Sequence, residues 1–318
     1  MNDAFKPVQA EESNLNRQGG CQWERIPIWD TAAMNFSDHE FNLIRRLIYD
    51  KSGIHLKESK KTLVFNRLRK RLSACGLESY KKYVDLLTRD PKGHAELPHF
   101  VDALTTNETF FFRHPEHFKY IVDSVIPQAM ERKGAGTADG RIRIWSAACS
   151  SGEEPYTVAM CLHRSADRYR GWIFDIAASD ISRNALEKAR TGAYSAYSVS
   201  KMPEEYRRRY FTFDRGAATY LLHDEIKRMV RFHSANLLHP FPQGKFDLVL
   251  CRNAMIYFDA ESKERVLANL FESLVPGGTL IVGYAESMLN RSNRFKYCMP
   301  TVFRKESCVR PEMIRGNG

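Results

Sequence analysis

A run of small residues between an apolar strand and a helix, at residues 141–162, constrains the fold of this chain more than any other feature. Apolar side chains alternate through Ile142 and Ile144, the small residues end at Gly152, and helical periodicity covers 156–162. Small residues let a ligand approach the backbone closely, and the first helical turn offers unpaired N–H groups. The stretch therefore predicts a nucleotide-type site in an open α/β sheet.

The charges of this turn narrow the choice of ligand. The G-x-G-x-x-G spacing of dinucleotide folds is absent, and Glu153 and Glu154 would repel a pyrophosphate. A positively charged ligand fits better, and S-adenosyl-L-methionine (SAM), with its sulfonium and amino groups, is such a ligand. From this stretch alone an ordinary strand and helix stays open, in which both carboxylates merely favour a helix N-terminus.

Length and charge bound the class of protein. The 318 residues are enough for two domains, and the net charge of +10 predicts an acidic partner, whether nucleic acid, an anionic membrane or an acidic protein surface. The seven cysteines are scattered and form no C-x-x-C pair, which indicates a reducing compartment without disulfides or structural zinc. No signal pattern or run of about 18 apolar residues occurs. We therefore expect a cytoplasmic protein without membrane insertion.

Histidine pairs at 114 and 117, and at 94 and 99, are the candidate metal ligands. Neither pair has a third ligand at suitable spacing. We predict no metal site.

The first part of the chain divides into a tail and a helical domain. Residues 1–30 show no periodicity and predict a mobile tail, whereas residues 31–114 carry helical signals. Ser37 and Glu40 form a capping box, and the first helix is expected to end at Gly53. Three more helices are expected at about 58–72, from Ser79, and at 96–104.

The second of these helices is strongly basic, and only Glu58 offsets its cations, which are expected to face largely outward. Two interpretations stay open: an ordinary solvated face, or a docking surface for an acidic partner. The candidate docking residues are Lys60, Lys61, Arg67, Arg69, Lys70 and Arg71.

Residues 105–113 combine hydrogen-bonding side chains, three consecutive phenylalanines and Arg113. Three aromatic rings in a row cannot all face one core, so we predict that some cover a pocket into which Arg113 points its rigid fork. Residues 115–137 follow, and they predict a linking helix and a flexible joint.

Strands and helices alternate over residues 138–318. The strand expected at 172–180 ends in Asp180, and α/β folds hold a pair of ribose hydroxyls with an acid in this position. The alternation implies a parallel sheet with helices on both faces, interrupted at about 205–231 by a small insertion. The later strands are expected at 230–232, 246–250 and 279–283, with a turn at 276–278.

Four ordered motifs carry a resemblance to a known family. They are TTNETxFFR at 105–113, WSAAxxSGEEPY at 145–156, ASDI at 178–181 and CRNxxIYF at 251–258. Together they resemble the CheR family, the chemotaxis receptor glutamate methyltransferases, over about residues 36–305. The resemblance implies SAM-dependent methylation of glutamate carboxylates on chemoreceptors for sensory adaptation, with S-adenosyl-L-homocysteine as the second product.

The resemblance also implies a fold and a partner. The fold is a Rossmann-like class I methyltransferase domain with a mostly parallel seven-stranded sheet, an α-helical N-terminal domain and a small antiparallel β insertion. The partner is the cytoplasmic helical region of chemoreceptors, and no nucleic acid is expected.

By the same resemblance, Asp180 would hold the ribose hydroxyls and Glu153 would face the methionine part or the sulfonium, while the part of Glu154 stays open. Arg113 is the candidate for orienting cofactor or substrate carboxylate, Tyr257 the candidate wall of the pocket, and no metal is required. The implied cofactor contacts are Asn107, Thr109, Arg113, Glu153, Asp180, Asn236, Leu237, Asn253 and Ala254.

One departure from the family pattern concerns the receptor tether. The segment between Phe211 and Ile226 is shorter and poorer in glycine than in members that grip a C-terminal receptor pentapeptide. We therefore expect no tether binding.

Two other functions stay open on the sequence. One is a methyltransferase acting on nucleic acid or a small molecule, which the net charge favours. The other is a non-catalytic SAM-binding regulator that docks on an acidic helical partner through residues 57–71.

Overall fold

A computed structural model describes residues 36–134, 140–286 and 295–306, which fall in one compact unit. The predicted tail at 1–30 and residues 135–137 of the predicted joint lie outside the described residues.

The helical domain begins with the predicted capping box. The Glu40 backbone N–H donates to Ser37 Oγ at 3.2 Å, and the Ser37 N–H donates to the Glu40 carboxylate at 2.9 Å. Gly53, with φ of 76°, ends the first helix as predicted, because a left-handed residue stops the helical hydrogen-bond pattern. The helices are α1 (Asp38–Ser52), α2 (Lys61–Ala74), α3 (Tyr80–Arg89) and α4 (Gly93–Leu104).

Arg71 on α2 faces the interior of the helical domain. Its guanidinium donates to both Glu96 oxygens, at 2.8 and 2.6 Å, and the Tyr83 hydroxyl donates to the same carboxylate at 2.7 Å. Burial raises the pKa of Glu96, but the hydrogen bonds from Arg71 and Tyr83 outweigh it and leave that pKa below its ordinary value. The prediction that Arg71 faces outward for docking is therefore wrong, because this face of α2 packs on α4.

Arg67 is also turned toward the protein, and the prediction that it faces outward is wrong as well. It lies one helical turn before Arg71 and donates to the backbone oxygens of Leu104 and Thr105, at 3.2 and 2.9 Å. Lys61 is half-buried, and its ammonium lies 2.6 Å from Asp38. The exposed members of the predicted docking set are Lys60, Arg69 and Lys70.

The predicted linking helix is one continuous helical segment. It consists of α5 (Pro115–Tyr120), a π-helical turn (Ile121–Val125) and α6 (Ile126–Lys133). Its buried face belongs to the same apolar core as Ile142 and Ile144 of the first strand.

The remaining residues form a large sheet, a small sheet and the helices between their strands. The strands are β1 (Arg141–Ala147), β2 (Ile173–Asp180), β3 (Ala193–Tyr194), β4 (Phe211–Asp214), β5 (Thr219–Leu222), β6 (Val230–Ser234), β7 (Phe246–Cys251), β8 (Leu274–Val282), β9 (Phe295–Met299) and β10 (Val302–Lys305). The helices are α7 (Glu153–Arg164), α8 (Arg183–Thr191), α9 (Ala196–Val199), α10 (Glu204–Tyr210), α11 (Asp224–Lys227) and α12 (Ala260–Ser273).

The large sheet confirms the predicted seven-stranded, mostly parallel architecture. Its strand order is β6-β2-β1-β7-β8-β10-β9, and β10 runs antiparallel to both of its neighbours. In register, Ala147 lies beside Ser179 and Cys251, and Asp180 lies beside Ser234. The carboxyl ends of β1, β2, β6 and β7 therefore meet at one edge, where ligands of open α/β sheets bind.

The turn predicted at 276–278 lies within the bounds of β8, which begins at Leu274 and not at the predicted residue 279. Phe246 pairs with Leu274 and Leu248 with Thr279, so residues 275–278 have no partner on β7 and interrupt the pairing. Gly277 has a φ of 75°, which lets the backbone absorb these residues.

The predicted antiparallel insertion is present as a three-stranded sheet of order β3-β5-β4. It starts before the predicted residue 205, because β3 pairs with β5. Among the described residues, no helix is both long and apolar enough to cross a bilayer.

Candidate functional site

A cavity of about 400 Å³ lies between the helical domain and the carboxyl edge of the large sheet. Its walls are residues of the loops that follow β1, β2, β6 and β7, together with residues from 52–67 and 104–118. This volume is within the range of small-molecule sites, about 300–1,000 Å³. The cavity is therefore the candidate functional site.

The loop between β1 and α7 reverses sharply, as its small residues predict. Ala148, Ser150 and Gly152 have φ values of 58°, 51° and 92°, which lie in the left-handed region. A Cβ atom on Gly152 would lie 2.9 Å from the Ala189 Cβ, so a larger residue does not fit there. The turn brings the Ser150 backbone N–H toward the end of β2.

Asp180 lies at the end of β2 and lines the cavity. One carboxylate oxygen accepts the Ser150 N–H at 2.8 Å and the other accepts the Ser182 N–H at 2.9 Å. Burial raises the pKa of this carboxyl, and those two hydrogen bonds oppose the rise. Because each oxygen of an ionised carboxylate accepts about two hydrogen bonds, Asp180 retains acceptor capacity toward the cavity.

Glu154 lines the cavity on the other side of the same loop. Its carboxylate accepts the Ser146 hydroxyl at 2.7 Å and pairs with Arg252 Nη1 at 3.0 Å. Burial raises the pKa of Glu154, and Arg252 opposes that rise. Glu154, whose contact with the cofactor the sequence left open, is thus an acidic side chain of the cavity.

Glu153 does not line the cavity, and the prediction that it faces the methionine part or sulfonium of SAM is wrong. Its side chain is buried and accepts the hydroxyls of Ser151 and Ser198, at 2.8 and 3.2 Å. Consecutive helical residues point roughly 100° apart, so only one of two adjacent glutamates faces the cavity.

Arg252 also lines the cavity. It belongs to the CRNxxIYF motif, but the sequence predicted no role for it. Its side chain is 3% exposed and donates to the Glu154 carboxylate and to the Arg113 carbonyl oxygen. Its Nε is buried and has no hydrogen-bond partner within the described part of the chain. Its position directly after β7, at the carboxyl edge of the sheet, could have predicted that it lies at the site.

Glu286 holds the loop after β7 and had no recognisable signal in the sequence. Its carboxylate accepts the backbone N–H groups of Gly283, Asn253 and Met255, at 2.8, 2.8 and 2.6 Å. Asn253 has a φ of 60°, a conformation that asparagine adopts more readily than most residues. These bonds fix the direction in which Asn253 and its neighbours meet the cavity.

The segment 105–113 forms another wall. Asn107 Nδ2 donates to Ser182 Oγ, and Ser150 Oγ donates to the Asn107 carbonyl oxygen, both at 3.1 Å. The segment is thus tied to the loops after both β1 and β2.

The three phenylalanines divide as predicted between core and pocket. Phe111 and Phe112 are buried in the core, whereas Phe110 lines the cavity together with Arg113. The Arg113 guanidinium donates to the Glu108 carbonyl oxygen at 3.1 Å, which restricts its direction.

Two further hydrogen bonds, at the end of α1 and just after it, join the helical domain to the sheet loops at the cavity. Asn236 Nδ2 donates to the Lys51 carbonyl oxygen at 3.0 Å, and the His55 N–H donates to the Tyr257 carbonyl oxygen at 2.8 Å. The predicted cofactor and pocket residues that line the cavity are Asn107, Thr109, Arg113, Asp180, Asn236, Leu237, Asn253, Ala254 and Tyr257, and Lys60 and Arg67 of the predicted docking set line it as well.

The histidine pair considered for a metal has other contacts. The rings of His114 and His117 are 5.8 Å apart, and His117 Nε2 lies 2.8 Å from Thr301 Oγ1. Burial lowers the pKa of His117 to about 4. Within the ranges that the structure describes, no three His, Cys, Asp or Glu side chains are grouped to hold a metal ion.

Comparison with known proteins decides the family. The all-alpha domain of CheR methyltransferases matches residues 39–105, and their SAM binding domain matches residues 107–303. The chain belongs to the CheR methyltransferase family. As a CheR methyltransferase it is SAM-dependent, and the boundary between the two matches coincides with the segment that joins its helical domain to the cavity.

Curated relatives of this CheR methyltransferase bear the name chemotaxis protein methyltransferase. The protein from Salmonella typhimurium is 36% identical over 86% of this chain and 92% of its own length. The Escherichia coli protein is 36% identical over 89% and 96%, and the Borreliella burgdorferi protein is 34% identical over 86% and 96%. The likeness thus spans both domains.

Proposed function

We propose that this CheR methyltransferase transfers the methyl group of SAM to glutamate side-chain carboxylates of chemoreceptors, in the cytoplasm. The observation that carries the proposal is the charge of the cavity between the domains. Its sheet side has Asp180 and Glu154 with one cation, Arg252, and its other walls have one acid, Glu108, against the cations Lys57, Lys60, Arg67 and Arg113. An anionic acceptor suits the cationic walls, and relatives named chemotaxis protein methyltransferase support the receptor as its source.

The residues present fit the methyl donor. Asp180 has acceptor capacity left for a pair of ribose hydroxyls, and the Glu154 carboxylate suits the sulfonium or the amino group. The Arg252 guanidinium lines the cavity and supplies positive charge for the carboxylate end. Glu153 has no part in this fit.

SAM supplies an electrophilic methyl group on a sulfonium. The protein has to provide no general base, because an ordinary glutamate has a pKa near ~4.3 and is already an anion at neutral pH. Its residues must hold a carboxylate oxygen in line with the methyl–sulfur bond, at roughly 3 Å, and keep water away. Arg113 orients the acceptor carboxylate, and Phe110 and Tyr257 shield it with their rings.

The atoms balance without a co-reactant. The carboxylate oxygen forms a bond to the methyl carbon while the carbon–sulfur bond breaks, and that electron pair stays on sulfur. The products are a glutamate methyl ester and S-adenosyl-L-homocysteine.

The deciding experiment incubates the protein with methyl-labelled SAM and a purified cytoplasmic receptor fragment. We expect label on the receptor that mild base releases as methanol, which identifies a carboxyl ester. Base-stable label on nucleic acid would favour the alternative substrate, and SAM binding without transfer to any acceptor would favour a non-catalytic regulator.

Docking of the receptor is expected at three exposed cations, Lys60 in the turn just before α2, and Arg69 and Lys70 on α2. Reversing Lys60, Arg69 and Lys70 to Glu should raise the receptor KM by about tenfold at low salt, because exposed charges steer encounter and salt screens them. Receptor KM, measured against salt concentration, and SAM affinity by calorimetry check this. The Arg71→Glu variant is unsuitable here, since it would place a second acid against Glu96. A triple variant with normal receptor KM at low salt would identify α2 as a solvated face.

Receptor tails are expected to be dispensable. The β4–β5 hairpin joins its strands through residues 215–218 only, which supports the expectation that a C-terminal pentapeptide is not gripped here. A receptor fragment truncated by its last five residues should be methylated with the same KM as the intact fragment. Calorimetric titration with the free pentapeptide is the second check, and micromolar binding that Phe213→Ala abolishes would contradict the expectation.

A further inference from the structure

A second, shallow concavity lies beside the cavity and shares Phe110 and Arg113 with it. Because Phe110 and Arg113 line both, a group held in the concavity would contact residues that also face the candidate transfer site. The other residues of its wall are Phe112, His114, Pro115, Glu116 and Lys201.

Two cations flank the Phe110 ring in this concavity. The Lys201 Nζ lies 4.3 Å from the ring centroid and the Arg113 Cζ lies 5.7 Å from it. Across the described residues, neither cation has a carboxylate oxygen within 4.0 Å. Within the described structure, neither cation beside this ring therefore forms an ion pair.

Glu116 and His114 are the other ionisable groups of the wall, and neither forms an ion pair with Lys201 or Arg113 among the described residues. Glu116 accepts the Tyr284 hydroxyl at 2.7 Å and lies 3.6 Å from His114. Burial lowers the pKa of His114, and Arg252, Arg113 and Lys201 lower it further. With a neutral imidazole the wall carries two cations and one carboxylate, and that carboxylate accepts the Tyr284 hydroxyl.

The position of Lys201 is set by the turn that precedes it. The Phe111 N–H donates to the Ser198 carbonyl oxygen at 3.0 Å, and the Ser198 hydroxyl donates to the buried Glu153 at 3.2 Å. Met202, on the other side of Lys201, is buried. Glu153, which does not reach the cavity, thus holds the segment that carries Lys201 beside Phe110.

We infer that Lys201 is a specificity-determining residue that, together with Arg113, recognises the carboxylate of the acceptor glutamate beside the Phe110 ring. The inference rests on the proposed function and adds to it a contact from the antiparallel insertion. A neutral glutamine side chain would gain little from two cations, so the pair favours the ionised acceptor. The acceptor would then lie between α2 and the turn after α9.

The test compares Lys201→Glu, Lys201→Arg and the control Lys92→Glu, an exposed lysine that belongs to neither wall. Methyl transfer from labelled SAM to a receptor fragment gives kcat and receptor KM, and calorimetry gives SAM affinity. We expect Lys201→Glu to raise receptor KM at least about tenfold at low salt with SAM affinity unchanged. Lys201→Arg should stay within about threefold of the unsubstituted protein, and Lys92→Glu should match it.

The outcomes separate this inference from the function on which it rests. Transfer by the unsubstituted protein, with Lys201→Glu indistinguishable from Lys92→Glu, overturns the role of Lys201 and leaves the proposed function standing. An equal loss in Lys201→Glu and Lys201→Arg, accompanied by weaker SAM binding, also overturns it, because the change would then be structural. Absence of transfer by the unsubstituted protein overturns both.

Discussion

Replacing Asp180 by Ala is expected to weaken SAM binding by about 10²–10⁴-fold. Two hydrogen bonds from ribose hydroxyls to an ionised carboxylate contribute on the order of 1.5–3 kcal/mol each, and a loss of 1.4 kcal/mol is tenfold in affinity. The same carboxylate accepts the Ser150 and Ser182 backbone N–H groups, so the substitution also loosens the loop between β1 and α7. Calorimetric titration with SAM measures the change.

The matched control is Glu187→Ala, which removes an exposed carboxylate from the helix that follows Asp180 and lies outside the cavity. It should bind SAM normally. Thermal unfolding of both variants establishes that they are folded at the temperature of the titration. A folded Asp180→Ala variant with unchanged SAM affinity would exclude Asp180 from the binding site.

Replacing Arg252 by Met is expected to lower both stability and activity. The Arg252 side chain is 3% exposed and that of Glu154 is 13% exposed, so the substitution leaves an uncompensated carboxylate in a buried site. Breaking such a pair from one side costs about 3–5 kcal/mol of folding free energy. We also expect kcat/KM for SAM to fall by at least about a hundredfold. The substitution removes the Arg252 guanidinium from the cavity and disturbs the Glu154 carboxylate, which is proposed to lie beside the sulfonium. Denaturant unfolding and steady-state kinetics measure the two effects.

The double variant Arg252→Met/Glu154→Gln separates stability from function. Removing both charges abolishes the unpaired carboxylate, so most of the lost stability should return. Activity should remain low, because the negative charge at the cavity wall is gone. Activity that returns together with stability would show that the pair has only a structural role.

The pH dependence of the single Arg252→Met variant has a defined sign. Burial raises the pKa of Glu154 and Arg252 opposes the rise, so removal of Arg252 raises that pKa further. The ionised form of Glu154 is lost as pH falls through its pKa, and in the variant this loss starts at a higher pH. The acidic limb of kcat/KM for SAM should therefore move to higher pH, which a profile at saturating receptor concentration would detect.

Residues of both domains form the cavity, so the helical domain is expected to affect cofactor binding. Asn236 and Tyr257 meet the backbone of the helical domain at Lys51 and His55, and residues 52–67 form part of the cavity wall. The helical domain is thus part of the candidate cofactor site as well as the carrier of the basic helix. Changes on α1 or at its end are expected to affect SAM affinity even though they lie outside the sheet.

Much of the architecture was readable in the sequence because local signals agreed with the fold. The capping box at Ser37 and Glu40, the stop at Gly53 and the small residues before Gly152 act over a few residues, and their geometry does not depend on distant partners. The alternation of strands and helices predicted the parallel sheet for the same reason. Asp180 was found because the end of a parallel strand is a fixed location in such a sheet.

Side-chain direction at adjacent charged positions was decided by the tertiary structure. Glu153 and Glu154 are identical in the sequence, and only the positions of Ser198 and Arg252 determine which one faces the cavity. The sequence predicts Arg71 as one of several surface cations, whereas in the structure it pairs with Glu96, which lies 25 residues away in the chain. The physical reason is that burying a charge is costly without a partner, and the partner comes from a distant part of the chain.

The sequence by itself determined five alternating strands of the large sheet, which follow from local periodicity, and the resemblance of its four motifs implied the family and most residues of the cavity. The tertiary structure alone assigned Arg252 and Glu286 to the site and brought Lys201 beside Phe110. Glu286 accepts the Asn253 N–H across 33 residues, and Lys201 meets a ring 91 positions earlier (201 − 110). Such contacts depend on how whole elements pack against each other, and no short stretch of sequence encodes that packing.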